Sequence, residues 1–392
     1  MKISKRSGLL SALAVGAMLF GSVMAGCGGD KAAGGSDEEI VIGSNFELTG
    51  NQANYGNAAN EGLKLAIKEA NDAGGINGKK IKLVEADTKS EAAESVNAAT
   101  KLISEDKAKV IVGPAVTANV IAESQVASDN DVCVIAPAAT SPDVTVENGN
   151  VKPYIFRSCF IDPQQGTVMA EFAAKNLNAK TAVMYIDSSS DYSKSLGKVF
   201  KEKFEAAGGK VLMEEAFLAK DQDFKAALTK LKTANADVMF IPAYYEEVGK
   251  IVKQARELGI TCALLGTDGW DDAKVVDIAG PAALNNTYFS THYFEKDPEV
   301  QGFIESYQKE YGHAPNVFAA LGYDAGKMLI EALKAGEDPE KIRVALENIK
   351  DLQVGTGKVT MDKNTHNPVK SAVILETKDG VKELKAKIAP EG

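Results

Sequence analysis

The feature of the sequence that most constrains its fold is an internal repeat. Residues 101–133 and 230–262 share one layout, at an offset of 128 to 129 residues. Each copy has an apolar run that leads into Pro-Ala, then a helical pattern, then a run beside a cysteine. This period is far longer than the roughly 20 to 50 residues of solenoid repeats, so it predicts two similar α/β domains with a cleft between them.

Short β-branched runs alternate with longer amphipathic runs from Glu39 onward. The runs that predict strands are 40–43, 81–85, 110–112, 132–136, 154–157, 181–186, 210–215, 238–241 and 262–265. In the helical pattern over 59–70, the apolar side chains share one face. A strand followed by a helix, repeated, is typical of a parallel sheet covered on both faces. We therefore expect an α/β fold of two similar doubly wound lobes with parallel-rich sheets.

The pattern changes after His292. The helical patterns that follow are 300–311, 317–335 and 339–349, and the weaker strand patterns are 352–359 and 369–376. Because such a tail can cross between lobes more than once, we expect a hinge of several crossing strands. The expected organisation is a signal peptide over 1–26, a flexible linker over 27–38, lobe 1 over 39–160 plus 292–352, and lobe 2 over 161–291 plus 353–392.

The first 27 residues have the order of an export signal. Three cations precede an apolar run over 9–20, and small residues precede Cys27. The run is shorter than the roughly 18 apolar residues of a membrane-spanning helix, so we expect cleavage. Residues 24–27 resemble a bacterial lipobox, in which lipid is attached to the cysteine. The resemblance implies a lipid anchor at Cys27; the alternative is an ordinary secretory signal with an incidental cysteine.

The residues after Cys27 predict a tethered extracytoplasmic protein. Residues 28–39 are small and polar, which suits a flexible linker. Removal of 1–26 leaves 41 basic and 54 acidic side chains, a net charge of −13. This charge argues against nucleic acid or anionic lipid as a partner. We expect the chain on the outer face of the cell membrane or in the periplasm, held there by lipid.

The sequence contains none of the common catalytic motifs, neither a nucleophile elbow nor a Walker loop nor His-Glu-x-x-His. Three histidines, His292, His313 and His366, lack ligand spacing and are expected to be surface or hinge-side polar residues. Three cysteines, Cys133, Cys159 and Cys262, lie in apolar runs that suit buried thiols. Residues 266–272 carry three carboxylates, so calcium binding or acid–base chemistry stays a less favoured alternative. We expect no metal, no cofactor and no catalysis.

Polar and aromatic residues follow the predicted strands at the cleft. The two repeats end their first strand at 113–117 and 241–245, and ligands of open α/β sheets bind beyond such ends. Thr117 begins a helix, so its hydroxyl and nearby amides suit a carboxylate, although a plain N-cap is the alternative. Loop 136–142 offers a carbonyl and a hydroxyl. The aromatic residues at loop or strand-end positions are Tyr55, Tyr192, Tyr244, Tyr245, Trp270 and Phe318.

The order of several short motifs carries a family resemblance. These motifs are Leu48-Thr49-Gly50 with Tyr55-Gly56, residues 73–78, Val112-Gly113-Pro114, residues 136–142, residues 254–259 and Tyr323-Asp324-Ala325. In this order they resemble the leucine/isoleucine/valine-binding protein family, the amino-acid branch of type I periplasmic binding proteins that serve ABC transporters. The resemblance runs from about Glu39 to the last strand and implies a two-lobed fold that closes on a free amino acid.

The resemblance also implies a ligand-binding site. Thr117 matches a hydroxyl that binds the ligand carboxylate, and Ala138 and Thr140 match a carbonyl and a hydroxyl that meet the ammonium and the carboxylate. Asp268 stands where the family's leucine binder has Glu, the residue that neutralises the ammonium. The positions that match aromatic pocket walls are Tyr55, Tyr192, Tyr244 and Phe318. Trp270 is added from its proximity to Asp268.

We therefore expect a monomeric solute-binding lipoprotein that binds a branched-chain or other apolar amino acid and delivers it to an ABC transporter permease. A ligand sensor of the same fold is an alternative, but it requires a membrane or signalling domain, for which the sequence has no pattern. A secreted α/β enzyme acting on a small carboxylate is another, and turnover of the ligand would distinguish it.

Overall fold

The computed structural model describes residues 39–389. The expected signal peptide, Cys27 with its lipid, and the rest of the linker to residue 38 lie outside the described residues. Within 39–389, no helix is both long enough and apolar enough to cross a membrane.

Strands and helices alternate along most of this range. The strands are β1 (Ile40–Phe46), β2 (Ile81–Asp87), β3 (Val110–Val112), β4 (Cys133–Ala136), β5 (Val146–Glu147), β6 (Asn150–Val151), β7 (Ile155–Arg157), β8 (Thr181–Asp187), β9 (Lys210–Phe217), β10 (Val238–Phe240), β11 (Ala263–Gly266), β12 (Thr287–Thr291), β13 (Leu352–Val354), β14 (Gly357–Asp362), β15 (Asn367–Val369), β16 (Ala372–Lys378) and β17 (Val381–Ile388). The helices are α1 (Ala53–Asp72), α2 (Ala92–Ser104), α3 (Thr117–Asp129), α4 (Asp162–Glu171), α5 (Asp191–Ala206), α6 (Lys225–Thr233), α7 (Tyr245–Glu257), α8 (Ala273–Ala279), α9 (Gln301–Tyr311), α10 (Val317–Leu333) and α11 (Pro339–Glu347).

Two parallel-rich sheets form the centre of the molecule. The first has the order β2-β1-β3-β4-β7 and is parallel throughout. The second has the order β17-β16-β12-β11-β10-β8-β9, in which β9 to β12 are parallel and β16 and β17 are antiparallel. The sequence repeat is therefore structural, because α2-β3-α3-β4 and α6-β10-α7-β11 occupy equivalent places in the two sheets.

The central strands of each sheet are buried on both faces, as parallel sheets require. Successive side chains of a strand point to opposite faces, so Val110 and Val112 of β3 belong to the core with α1 and α10, whereas Ile111 packs with α2 and α3. In β10, Val238 and Phe240 pack with α5, and Met239 packs with α6 and α7. In the sequence, strands buried on both faces are short, continuous apolar runs that do not alternate with polar residues.

All nine strands predicted before His292 are present, and so are the three C-terminal helices. The prediction missed β12, β15, the hairpin of β5 and β6, and β17, and the run 352–359 forms two antiparallel strands, β13 and β14, rather than one. Strand β17 has the burial pattern of an edge strand, with most of its side chains exposed. A strand with one open edge needs no continuous apolar run, which explains why hydrophobicity did not reveal it.

The chain passes between the two sheets three times, after β7, after β12 and after β15. Two of these crossings touch, because Lys370 Nζ donates to the Ser158 carbonyl at 2.9 Å and pairs with buried Asp324 at 2.7 Å. The small sheet of β13, β14 and β15 contacts α10, α11 and β7, which belong to the first sheet's side. These contacts favour extending the C-terminal part of lobe 1 from residue 352 to about 369.

Helices α1 and α10 cross at very short range in the first half of the molecule. A Cβ added to Gly62 would overlap the carbonyl oxygen of Ala319, and one added to Gly322 would overlap that of Ala59. The two backbones therefore touch through a pair of glycines. This contact joins segments more than 250 residues apart and holds α10 against the first sheet.

Gly62→Ala is expected to destabilise the fold by about 1–3 kcal/mol, because the added methyl group forces the two helices apart. Gly302→Ala is the matched control, since Gly302 is exposed in α9 with nothing within 4 Å of an added Cβ. That change should be neutral or stabilising by up to about 1 kcal/mol. Urea unfolding measures both, and equal effects of the two substitutions would contradict the close contact.

Candidate functional site

Seven of the eight predicted site residues line one small cavity between the ends of the two sheets. Its lining is Tyr55, Ala115, Val116, Thr117, Ala138, Tyr192, Tyr244, Asp268, Gly269 and Phe318, around a space of about 10 Å³. The cavity lies beyond the carboxyl ends of β3 and β10, each next to the point where its sheet reverses strand order. Open α/β sheets bind ligands at such points. Thr140, the eighth residue, is fully buried but does not line the cavity.

Thr117 is the first residue of α3, and its hydroxyl has no hydrogen-bond partner although only 1% of the residue is exposed. The N-cap alternative is thus wrong, because Val116 holds the cap position and no side chain caps the helix. The expectation of free amides needs a correction too. The amides of Ala115 and Val116 donate to the Glu47 carboxylate, at 3.0 and 3.2 Å. The Asn119 amide donates to the Val116 carbonyl at 3.1 Å, so only the amides of Thr117 and Ala118 lack an acceptor within the described residues.

The loop after β4 leaves one carbonyl and one hydroxyl unpartnered. Between Ala136 and Ser141, every carbonyl except that of Ala138 accepts a hydrogen bond within the described residues. The Thr140 hydroxyl is buried with no hydrogen-bond partner within 3.5 Å, although it lies close enough to the Asp162 carboxyl to lower the pKa of Asp162. Buried polar groups are normally paired, so the groups left over in this loop are the two that the family resemblance assigns to the ligand.

Asp268 is 2% exposed and accepts hydrogen bonds only from neutral groups. Its Oδ1 accepts from Gln165 Nε2 at 3.0 Å and from the Tyr192 hydroxyl at 2.7 Å, and its Oδ2 lies 3.1 Å from His292 Nε2. Burial lowers the pKa of His292, which favours the neutral ring. Within residues 39–389, no lysine or arginine pairs with Asp268. A buried carboxylate without a cation is costly, so this wall of the cavity favours a cationic ligand group.

His292 and Gln165 are site residues that the sequence reasoning missed. His292 was predicted to be a surface or hinge-side residue, yet it is buried and stacks on Phe160 with ring centroids 3.6 Å apart. Gln165 lies on α4, and its Oε1 also accepts from the Asp268 amide at 3.0 Å. Neither has a local motif, because each approaches Asp268 from a distant part of the chain.

Asp162, the first residue of α4, is a second buried carboxyl near the cavity that no sequence signal identified. Neither of its oxygens has a hydrogen-bond partner within 3.5 Å, although the hydroxyls of Thr140 and Ser195 lie close enough to lower its pKa. Burial raises the pKa of Asp162 to about 7, and the charge of Asp268 contributes to the shift. Burial therefore favours the protonated form of Asp162, which limits the negative charge beside the cavity.

The aromatic walls meet around the cavity as predicted for four of the six candidates. Tyr192 and Tyr244 stack with centroids 4.9 Å apart, and Tyr55 packs on Phe318 at 4.1 Å. Trp270 does not line the cavity. Its indole is buried in the core, donates to the Ile241 carbonyl at 2.8 Å, and occupies the space over Gly266.

Tyr245 supports the wall from behind, packing edge-on against Tyr55 at 4.9 Å. The Tyr55 hydroxyl also joins the two sides of the cavity, because it donates to the Gly269 carbonyl at 2.5 Å and accepts from the Tyr245 amide at 2.9 Å. Tyr55 belongs to α1 on the first side, and both of its partners belong to the second.

The other chemistry-bearing residues have structural partners. Asp271 pairs with Lys382 and accepts from the Thr291 hydroxyl at 2.6 Å, and Asp272 caps α8.

His366 is buried on Phe156 rather than at the surface, whereas His313 is largely exposed. Cys133 and Cys159 are buried, Cys262 is partly exposed, and all three are free. Among the described residues, no group of three His, Cys, Asp or Glu side chains could hold a metal ion.

The fold and the cavity define a class of protein, the type I periplasmic binding proteins, in which two α/β units meet at the ends of their sheets. Residues 39–382 match the family described as periplasmic binding protein. The chain belongs to this family, in the branch whose members are named Leu/Ile/Val-binding proteins. The family resemblance in the sequence is thereby confirmed.

Relatives and solved structures agree on this branch. The Leucine-, isoleucine-, valine-, threonine-, and alanine-binding protein of Pseudomonas aeruginosa is 30% identical over 79% of this chain and 82% of its own length. The branched-chain amino acid transporter substrate binding protein LivJ of Streptococcus pneumoniae, solved with isoleucine, is 35% identical with a TM-score of 0.84, over 91% of this chain and all of its own. Leucine binding protein LivK of Thermotoga maritima has the same identity and TM-score, over 90% and 99%.

Asp162→Asn is expected to change how stability depends on pH. The folded protein holds the Asp162 proton up to about pH 7, whereas an unfolded chain releases it near pH 4. The parent therefore loses stability as the pH rises from about 4 to about 7. Asp162→Asn should remove this part of the slope and be more stable than the parent at pH 8.

Urea unfolding between pH 5 and pH 8, followed by the fluorescence of Trp270, the single tryptophan, measures the slope. Asp143→Asn, the same change at an exposed aspartate, serves as the control and should leave the slope of the parent intact. Parallel slopes for the parent and Asp162→Asn would mean that the carboxyl is ionised in the folded protein.

Proposed function

We propose that this chain is the solute-binding component of an ABC transporter, and that it binds a free amino acid with a branched-chain or other apolar side chain. The named relatives support this proposal, since they are binding proteins for leucine, isoleucine and valine and one was solved with isoleucine. The chain would close on the amino acid and deliver it to the permease subunits.

The observation that carries the proposal is the division of charge across one cavity. On one side, the Thr117 hydroxyl and the amides that begin α3 are hydrogen-bond donors for an anion. These donors are neutral groups. On the other side, Asp268 presents a carboxylate that no cation neutralises. A zwitterion with its carboxylate toward Thr117 and its ammonium toward Asp268 and the Ala138 carbonyl would satisfy both sides.

The aromatic walls support an apolar side chain on the ligand. The rings of Tyr55, Phe318, Tyr192 and Tyr244 leave little room for charge or for additional hydrogen-bonding groups. Burial of each CH₂ in such a pocket contributes about 0.8 kcal/mol. Asp268 is one CH₂ shorter than the Glu of the family's leucine binder, so the ligand would sit closer to α4 and β11.

Closure of two lobes over the ligand follows from where the groups originate. Thr117 and Ala138 belong to the first sheet's side, whereas Asp268 and Tyr192 belong to the second. Only a closed cleft lets one ligand contact all four, and this differential contact favours the closed state. We propose lobe 1 as 39–160 plus 292 to about 369, and lobe 2 as the remainder of 39–389.

Membership of the periplasmic binding protein family implies an extracytoplasmic location. We further propose that residues 1–26 are removed and that Cys27 carries the lipid, because residues 24–27 resemble a lipobox and stable anchoring suits a protein that must stay near its permease. A monomer suffices for this role, since the cavity is built within one chain.

A thermal-shift screen of residues 37–392 against the twenty amino acids and simple aromatic or aliphatic carboxylates tests the proposed function. Leucine, isoleucine or valine should raise the melting temperature most, because a ligand at 100 times its Kd adds about 2.7 kcal/mol. A response only to carboxylates that lack an ammonium would move the ligand to another class. Consumption of the ligand would favour the enzyme alternative.

Asp268→Asn is expected to weaken amino-acid binding at least tenfold, or about 1.4 kcal/mol, because the amide keeps the shape of the side chain but not its charge. Isothermal titration calorimetry measures the loss. Asp271→Asn is the control, a buried aspartate in the same segment that pairs with Lys382 outside the cavity. Unchanged affinity in Asp268→Asn would remove Asp268 from the ammonium subsite.

A further inference from the structure

We propose that Glu47 is the positioning residue of the ligand-carboxylate subsite, holding the start of α3 so that Thr117 faces the cavity with its donors free. This inference rests on the proposed function, because it concerns how this chain prepares the subsite for an amino-acid carboxylate. Glu47 itself does not line the cavity.

The contacts of Glu47 all go to one short segment. Its Oε2 accepts from the Ala115 amide at 3.0 Å, and its Oε1 accepts from the Val116 amide at 3.2 Å. The same Oε1 accepts from Asn119 Nδ2 at 2.8 Å, one turn into α3. One carboxylate therefore fixes the loop on both sides of Thr117. At Asn119 the turn is also held by Ser95 Oγ, which donates to the Asn119 carbonyl at 3.0 Å, and by Thr88 Oγ1, which accepts from Asn119 Nδ2 at 3.4 Å.

The position of Glu47 in the fold explains this reach. It follows β1 directly, and β1 and β3 are neighbours at the point where the first sheet reverses its strand order. The carboxylate is fully buried between the end of β1 and the start of α3. A side chain placed at this point lies behind the loop that meets the ligand, so it can orient the loop without touching the ligand.

Glu47 also contacts, through its backbone, the helix that carries Tyr55 on the same side of the cavity. A Cβ added to Gly56 would overlap the Glu47 backbone, so the first turn of α1 lies directly on this residue. Tyr55, next in the chain to Gly56, carries the hydroxyl that joins the two sides of the cavity. One buried residue thus sets the relative positions of Thr117 and Tyr55.

Two opposing effects follow from a buried carboxylate at this helix start. Its charge disfavours a second anion nearby, but it accepts three hydrogen bonds from groups that would otherwise be buried unpaired. Gln at this position has only one acceptor oxygen. Its NH₂ group would face the N–H donors from which the carboxylate now accepts hydrogen bonds. Because an unmet buried donor costs about 1–3 kcal/mol, we expect the loss of loop order to outweigh the relief of repulsion.

The test is a double-mutant cycle on the full-length chain, purified in detergent and titrated with L-isoleucine by calorimetry. Glu47→Gln should weaken binding at least tenfold, as should Thr117→Val, which removes the hydroxyl that Glu47 positions. If Glu47 acts through Thr117, the double variant should bind nearly as well as Thr117→Val alone. A purely structural role would instead give losses that multiply.

Glu123→Gln is the matched control. Glu123 is a fully buried carboxylate on the same helix, but it bonds to Asn45 and to the Ser95 hydroxyl, away from the cavity. Its replacement should leave isoleucine affinity within twofold of the parent. Should Glu47→Gln fail to fold, Glu47→Asp keeps the charge, shortens the reach, and carries the same expected loss.

The outcomes separate the two proposals. A parent chain that does not bind isoleucine refutes the proposed function together with its carboxylate subsite. A parent chain that binds, with unchanged or tighter binding by Glu47→Gln, refutes the inference alone. Multiplying losses in the cycle, or an equal loss in Glu123→Gln, also overturns it, since either result assigns Glu47 a general role in stability.

Discussion

The requirement that buried charges and polar groups find partners governs this structure. Most of them do, as the carboxylate of Glu47 and the ion pair of Lys370 with Asp324 demonstrate. Several exceptions lie where the two sheets meet, at Thr117, Thr140, Asp162 and Asp268, and other unpaired polar atoms belong to Asn45, Asp106, Glu123, Arg157 and His292. Because an unpaired buried group is costly, a folded chain tolerates this concentration only where another molecule completes it. Thr117 and Asp268 line the cavity itself, and the lack of partners for these two groups indicates a ligand more directly than the volume of the cavity does.

Much of the fold was predictable because its signals are local. Parallel strands buried on both faces are short apolar runs, and the repeat at 128 to 129 residues indicated two similar units. Strand β17 and the hairpin of β5 and β6 were missed although their pairing is local, because their side chains are mostly exposed and lack an apolar run. The two-residue turns Asn148-Gly149 and Asp379-Gly380 were the available signal. The lobe to which we assign residues 352 to about 369 had no local signal. This assignment rests on the contacts of β13, β14 and β15 with α10, α11 and β7.

The residues of the candidate site also divide into those that the sequence could predict and those that it could not. Tyr55, Thr117, Ala138 and Asp268 follow motifs or strand ends, so the resemblance could assign them. Gln165, His292, Asp162 and Glu47 have no motif, and each acts on a neighbour that only the folded chain brings near. Trp270 illustrates the opposite error, because closeness in sequence to Asp268 does not decide on which side of the backbone a ring lies. Its indole fills the core over Gly266 instead.

The contact between α1 and α10 has a consequence for how the chain acquires its structure. The glycine pair Gly62 and Gly322 joins segments separated by most of the chain. The first half therefore cannot complete its core until residues beyond 333 have been synthesised, and the second sheet likewise waits for β16 and β17. Contacts of such long sequence separation slow folding. An exported chain benefits from this delay, because a polypeptide that stays open longer remains competent for passage through a membrane channel.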